Sequence, residues 1–471
     1  MTTVRPASAF RFHSLSSDKI RHHLFGWLAL ICFLAAPMAQ ANEATPELAI
    51  ETASLANGMD IIVIPDRRSQ VVTHIVWYRV GAIDDPRGKS GLAHFFEHLM
   101  FRGTEKIVKG EFSGIVTKLG GQLNASTSHD FTNYFERIAI DKLPEMMLME
   151  ADRMQNLIIN PELVALERDV ILEERSMRVD GNPESLLREK MLAQLHKDGA
   201  YHAPIIGWRT EIEQYNAADV KAFYQRYYAP DNAILMVVGN TSMAEIKPLA
   251  ETYYGPLKAA QKPRTQIADV TNLEVEGFAT PIVHADPRTR QKLWRRIYRL
   301  PAYHTIFDKA EMAALDVASH ILGGGSTSRL HQSLVIDTAL STSPSTYALN
   351  QRLHEGEFHI SVGLNPHADF AAVASRVDAA ITELATTAPQ AAELERAKTQ
   401  LIADALFARD SQYYMAFIFG SAAVNGISPE DVQAWTGLVE QVSAADVQRA
   451  VARFLLPQYS LTGHLINRGQ N

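Results

Sequence analysis

Two stretches of this chain, "NAADVKAFYQRYYAPDNAILMVVGN" (Asn216–Asn240) and "SAADVQRAVARFLLPQYSLTGHLIN" (Ser443–Asn467), follow one plan. Each opens on a capping residue and continues Ala-Ala-Asp-Val, an N-cap with a carboxylate three positions on. Each carries an Arg-aromatic pair near the helix end, Arg226-Tyr227 and Arg453-Phe454. Each breaks at a proline fourteen residues after the cap, Pro230 and Pro457, and enters an apolar, strand-like run. Agreement at one offset over twenty-five residues identifies two copies of one unit. That restricts the fold more than any other feature. A chain of 471 residues exceeds one core, and here it divides into two homologous halves of roughly 200 residues.

The join is placed in "LKAAQKPRTQIADVTNLEVEG" (Leu257–Gly277), polar, proline-containing and without helical period. The expected organisation is an N-terminal domain over 45–256, a linker over 257–277 and a C-terminal domain over 278–471. In the first copy, "MDIIVIPD" and "VVTHIVWYRVG" read as strands and "GLAHFFEHLMF" as a helix. The alternation Thr132, Tyr134, Glu136, Ile138, Ile140 suits a half-exposed strand, and "KLPEMMLMEADRMQNLI" and "PELVALERDVILEERSMR" are helical. The fold class is α+β: two homologous domains, each a mixed, mostly antiparallel sheet covered on one face by helices.

The first forty residues differ from the rest. Lys19, Arg21, His22 and His23 precede the apolar run Leu24–Met38, which is followed by Ala39-Gln40-Ala41. A basic start, a short apolar run and a small-x-small site make a secretory signal peptide over 1–41. An anchor would need about twenty apolar residues, and this run is shorter. Cleavage would remove four basic residues and one acidic one, moving the formal charge from −8 to −11, and an acidic chain is a poor partner for nucleic acid. The single cysteine, Cys32, would leave with the leader, so no disulfide is available. The expectation is a soluble exported protein, periplasmic if its source is Gram-negative, with no stable membrane insertion after cleavage.

The chemistry concentrates in "SGLAHFFEHLMFRGT" (Ser90–Thr104). His94 and His98 lie on one helix face one turn apart, so both imidazoles can reach one cation, and neutral imidazole suits zinc. Glu97 is on the same side, in the order His-x-x-Glu-His. Two histidines four apart are commonly coincidence, and a run of glutamates is commonly a solvated face; the combination carries the argument. A catalytic zinc takes three protein ligands, so a carboxylate must come from elsewhere. "LERDVILEERSMR" supplies Glu167 and Glu174, seven apart on one helix face, one to coordinate and the other to support. Glu173 points about 100° away.

The internal copy works as a control. Aligning "EHLMFRGT" with "SHILGGGST" sets Asp316, Ser319 and His320 opposite His94, Glu97 and His98. Aligning "LERDVILEE" with "LERAKTQLI" sets Glu395 opposite Glu167 and Ile402 opposite Glu174. The second half keeps the scaffold without the donor set, which implies one metal site per chain. The glycines of "ILGGGSTSRL" are not a phosphate loop: the lysine is absent and the order is helix then loop.

Taken with "GGQLNASTSHDFTNYF" and "YHAPIIGW", these motifs resemble the pitrilysin/insulinase family of zinc metallopeptidases, which includes the mitochondrial processing peptidase. The resemblance runs over nearly the whole chain after the leader. It implies that His94, His98 and Glu174 ligate one Zn2+, that Glu97 is the general base, and that Glu167 supports the ligands from behind. It also implies that Asn124 and Ala125, in "LNAST", bind the backbone of a peptide or unfolded segment by strand addition. Members of the family usually carry an Arg and, thirteen residues later, a Tyr that reach the substrate from the second domain. Here Arg329 is present, but Thr342 stands where the Tyr would fall, and Tyr347 lies too far along. Two-chain members divide these parts between subunits. The expected partner is therefore a paralogous subunit without the zinc motif that supplies an Arg/Tyr pair; a homodimer, or a monomer with reduced activity, is the alternative. The function so implied is an exported zinc endopeptidase. The competing reading is a catalytically silent assembly or processing subunit of the same fold.

Overall fold

The computed structural model describes residues 48–108, 110–197, 199–260, 272–304 and 309–468; the leader and part of the expected linker fall outside them. In the first half, six strands form one sheet: β1 (Glu51–Ser54), β2 (Asp60–Pro65), β3 (Val71–Tyr78), β4 (Gln122–Thr127), β5 (Thr132–Ala139) and β6 (Ala233–Gly239). Its helices are α1 (Leu92–Leu99), α2 (Glu111–Lys118), α3 (Leu143–Asn156), α4 (Pro161–Arg175), α5 (Pro183–Leu195), α6 (Arg209–Ile212), α7 (Ala217–Tyr227) and α8 (Met243–Tyr253). The second half has β7 (Ile282–Ala285), β8 (Leu293–Pro301), β9 (Ser341–Leu349), β10 (Glu355–Leu364) and β11 (Ser460–Ile466). Its helices are α9 (Lys309–Gly323), α10 (Arg329–His331), α11 (Phe370–Thr386), α12 (Ala391–Ala408), α13 (Gln412–Val424), α14 (Pro429–Gln441) and α15 (Ala444–Phe454).

The strand orders are β1-β2-β6-β3-β5-β4 and β7-β11-β8-β10-β9. Apart from β1 they superimpose as permutations: β2/β6 and β7/β11 are the parallel pairs, and every other pairing is antiparallel. The repeated sequence becomes the repeated structure. Asn216 caps α7 by accepting from Ala218 and Asp219 N–H, and Ser443 caps α15 through a reciprocal box with Asp446. After each helix, Pro230 or Pro457 opens a short 3-10 turn, and the chain then enters β6 or β11. On β5, Thr132, Tyr134, Glu136 and Ile138 are buried while Arg137 and Ala139 are exposed, the expected alternation.

One expectation needs correction. The sheets are not covered on one face only. Besides its own helices, the first sheet is covered by α13 of the second half: Met415, Ala416, Phe419 and Val424 pack with Ile62, Ile75, Trp77 and Met236. Reciprocally, Leu187, Met191 and Leu195 of α5 pack on Ile297, Leu461 and Leu465 of the second sheet. Two glycines permit these crossings. A Cβ on Gly420 would lie 2.2 Å from the Trp77 ring, and one on Gly463 would lie 2.2 Å from Met191 Sδ. Each half completes the core of the other, so neither sheet buries both faces without its partner.

Candidate active site

The first helix is fixed before it contributes chemistry. Asp85 accepts from Gly91 N–H (2.6 Å) and Ala93 N–H (2.9 Å) at the start of α1, satisfying donors that the helix leaves open. Leu92, Ala93, Phe95, Phe96 and Leu99 are fully buried, with Phe96 against Phe223 (5.5 Å) and Tyr228 (4.9 Å). Truncating such a ring costs about 3–5 kcal/mol, so the helix has one rotational setting. In that setting His94, Glu97 and His98 face α4 and β4. Asn160 caps α4 by accepting from Leu163 N–H, and Pro161 occupies its first turn. The helix runs on past Glu174 into a wider π-helical turn, Ser176–Asp180, that carries Arg178.

One donor atom from each of His94, His98 and Glu174 lies within 4.8 Å of the others, the one such group among the described residues. Glu174 Oε2 is 3.2 Å from His98 Nε2 and 3.7 Å from His94 Nε2, close but without an aligned hydrogen bond. Its other oxygen pairs with Arg178 Nη1 at 2.7 Å. His94 Nδ1 is buried without a partner. Behind the group, His98 Nδ1 lies 3.1 Å from Glu167 Oε1, and Arg102 Nε donates to Glu167 Oε2. Glu167 is fully buried, so it sets the tautomer and orientation of His98. Glu173 is exposed and takes no part.

The charges reflect this packing. Burial pulls His94 down to about 4, so it is neutral at pH 7 and ready to act as a ligand. Burial also pulls on His98, but its hydrogen bond to Glu167 and the close Glu174 carboxylate outweigh it and raise the ring to about 9. Burial works upward on Glu174 and Glu167 as well, and their histidine and arginine contacts hold both below the usual carboxylate range. A proton on His98 thus does the neutralising work that a bound cation would do, and metal loading would release it. Two imidazoles and a carboxylate are the donor set of a catalytic zinc site, which keeps a fourth position open. The residues fit that ion.

Glu97 is not one of the converging donors. Its Oε2 accepts from Thr127 Oγ1 at 2.6 Å, and burial raises its pKa. It lines a cavity of ≈ 580 Å³ together with His94, Glu174, Arg178, Asn124, Ala125 and Thr127. Strand β4 is the sheet edge: Asn124 opposes Phe135 and Ala125 opposes Tyr134, and among the described residues the other side of the strand is unpaired. Arg329 is not brought here. Its Nε and Nη2 each donate to Glu393 at 2.9 Å within the second half, a bidentate pair that fixes the guanidinium there. Thr342 is exposed on β9, where Gln291 donates to it. Sequence reading passed over Thr127, Arg102 and Arg178. Their signals were present: Thr127 ends "LNAST", and both arginines stand four residues after a site residue, His98 and Glu174.

Residues 61–208 match the family model described as insulinase, peptidase family M16. Residues 214–401 match the model described as the peptidase M16 inactive domain. The chain belongs to the peptidase M16 (pitrilysin/insulinase) family. Among its relatives is the zinc protease PqqE of Helicobacter pylori, 29% identical over 88% of this chain and 91% of that protein. An uncharacterized zinc protease of Rickettsia bellii is 27% identical over 85% of this chain and 93% of its own length. The crystal structure of a protease from Helicobacter pylori superimposes with a TM-score of 0.82 at 26% identity, covering 89% of this chain and all (100%) of that one. The first half of the periplasmic protease PqqL from Escherichia coli shares the fold, with a TM-score of 0.73 at 19% identity over 90% of this chain and 93% of that one. This M16 family member has the protease-like fold of relatives that are named zinc proteases.

Proposed function

We propose that this M16 protein is an exported zinc-dependent endopeptidase that cuts peptides or unfolded segments, with His94, His98 and Glu174 as the ligands of one zinc ion. The observation that carries the reading is the convergence of these three donors within 4.8 Å, beside an unpaired strand edge. Bound there, zinc would supply Lewis acidity towards a water and a substrate carbonyl. The protein supplies the rest. The substrate backbone adds to β4 at Asn124 and Ala125, which sets the scissile amide in the cavity. Thr127 holds Glu97 Oε2 by hydrogen bond, leaving Oε1 to take a proton from the attacking water and return it to the departing nitrogen. Burial, which raises the proton affinity of Glu97, suits it to both transfers. Glu167 and Arg102 keep His98 aimed at the ion.

Two observations bear on the partner. Arg329 is committed to Glu393, and Thr342 replaces the tyrosine of the family pattern. Both support a heterodimer in which a paralogous subunit without the zinc motif contributes that pair. Equal peptidase rates for the chain alone and for a co-expressed pair would reject it. For export, the support is the leader pattern in residues 1–41; among the described residues no helix is long and apolar enough to cross a membrane. The division of the chain at 257–277 belongs to the same proposal, with β1–β6 on one side and β7–β11 on the other.

The test is Glu97→Gln in the zinc-loaded full chain. Peptide hydrolysis should fall by about 10³-fold, since general-base assistance supplies roughly 10²–10⁴, while one zinc is retained. Hydrolysis unchanged in that variant would reject the role. If the intact protein binds zinc yet cleaves no peptide, alone or paired, the silent-subunit reading takes its place.

A further inference from the structure

The cavity in front of the metal group continues beyond it. His129, Arg188, Leu192 and Ile205 of its wall also line a second cavity of ≈ 660 Å³, which is bounded by residues of both halves, among them Tyr347 and Arg352. A peptide lying along β4 and leaving the metal cavity on this side passes that shared wall.

Its charge is simple. Leu192 and Ile205 are apolar. His129 is neutral: burial pushes it down to about 3, its Nε2 bonds Ala203 O at 3.1 Å, and its Nδ1 lies 3.3 Å from Arg352 Nη2. Arg188, on α5, is the one charged group common to both cavities. It is exposed, and among the described residues no carboxylate pairs with it. Its surroundings are already committed. Arg352 pairs with Glu357, Arg178 with Glu174 (2.7 Å) and Arg295 with Glu184 (2.5 Å). Glu189, next to it on α5, pairs with Arg175 at 2.8 Å. Tyr347 of β9 lines the second cavity, its ring stacked 4.4 Å from that of His359, whose Nε2 lies 2.7 Å from Glu357 Oε2. The Tyr347 side chain is exposed, and the positive charge of Arg188 acts on its hydroxyl.

We propose that Arg188, assisted by the Tyr347 hydroxyl, forms a subsite for a substrate carboxylate, and that it directs cleavage to peptides carrying an Asp or Glu side chain, or a free C-terminus, beyond the metal cavity. This rests on the peptidase reading given above. A guanidinium without a carboxylate partner, lining a cleft rather than open surface, recognises a carboxylate through two charge-assisted hydrogen bonds and repels a basic residue.

The experiment uses peptides identical except for Glu, Gln or Lys at one position, each made as free acid and as C-terminal amide. Two readouts are taken: kcat/KM with the zinc-loaded full chain, and affinity for the Glu97→Gln chain, which needs no turnover. The carboxylate should be preferred over its neutral counterpart by about tenfold in both. Arg188→Ala brings that ratio close to one, Arg188→Lys keeps part of it, and Arg188→Glu reverses it towards the Lys peptide. Tyr347→Phe lowers it a few-fold. A ratio that follows the terminal acid assigns the subsite to a C-terminus, and one that follows the Glu position assigns it to a side chain. Equal treatment of acid and neutral peptides by the unaltered chain, or a preference that survives Arg188→Ala, overturns the proposal. Absence of hydrolysis together with an Arg188-dependent difference in affinity would instead overturn the peptidase reading and leave the subsite standing.

Discussion

Helices α1 and α9 occupy matching places in the two repeats, yet one leaves polar atoms open and the other closes them. On α9, Asp316 accepts from Asn350 Nδ2 and Trp435 Nε1, both at 2.9 Å. His320 Nε2 lies 2.6 Å from Gln400 Oε1, and Ser319 bonds Thr346. None of these three side chains has a buried atom without a partner. On α1, His94 Nδ1 and, opposite it on α4, Glu174 Oε2 are buried without hydrogen bonds. The aligned glutamates differ in the same way: Glu167 is fully buried against His98 and Arg102, whereas Glu395 is 65% exposed and, among the described residues, pairs with Lys398 of its own helix. A fold built for stability alone satisfies its buried donors and acceptors. Helix α9 does so at these three positions, whereas α1 and α4 leave His94 Nδ1 and Glu174 Oε2 open at one point. The difference supports the proposal that an ion sits at His94, His98 and Glu174.

The comparison is broken most severely by moving the donors. His98→Ala should abolish stoichiometric zinc binding and peptide hydrolysis together, while His320→Ala leaves zinc content unchanged; metal analysis after equilibration reads both. The crossing helices give the next effect. Gly420→Ala drives a methyl group into the rigid Trp77 ring and should destabilise by about 3 kcal/mol. Gly463→Ala meets the flexible end of Met191 and should cost about 1 kcal/mol. Chemical unfolding of the two variants measures how unequal the reciprocal contacts are. Glu167→Gln should weaken zinc binding by about ten- to a hundredfold with the fold intact, because it removes the carboxylate that orients His98; competition with a chelator reports it.

The smallest effect is a pH dependence in the second half. Burial raises the Asp316 carboxyl to about 6, above its value of 3.8 in an unfolded chain. The stability this contributes is complete below pH 3.8 and is lost as the pH rises through about 6, when a buried carboxylate must form. Asp316→Asn should remove that dependence, on the order of 1 kcal/mol per pH unit within the window, in unfolding curves of zinc-free protein.

Much of this was legible in the chain itself. The halves, their strands and helices, and the placing of His94, Glu97, His98, Glu167 and Glu174 follow from periodicity, capping and spacing, which are local. The non-local features did not show. Helix α13 is apolar on all sides ("QYYMAFIFGSAAV"), so its pattern names no face and could not reveal that it covers the opposite sheet. Arg329 matched a motif, but its partner Glu393 is 64 residues away, and only the folded chain shows that the pair is made. Arg188 carried no motif at all; its interest lies in having, among the described residues, no carboxylate paired with it, because its neighbours Glu184 and Glu189 pair with Arg295 and Arg175, which is a property of surroundings.

On the proposed reading the first repeat holds one metal ion through His94, His98 and Glu174, and the second holds none. Zinc X-ray absorption on the equilibrated full chain, with the metal-to-protein ratio, tests it most directly. One zinc per chain is expected, with two imidazole nitrogens and carboxylate oxygen at about 2.0–2.2 Å, and loss of a nitrogen ligand or of the metal in His94→Ala. A ratio near zero or two, or a spectrum that His94→Ala leaves unchanged, would contradict it.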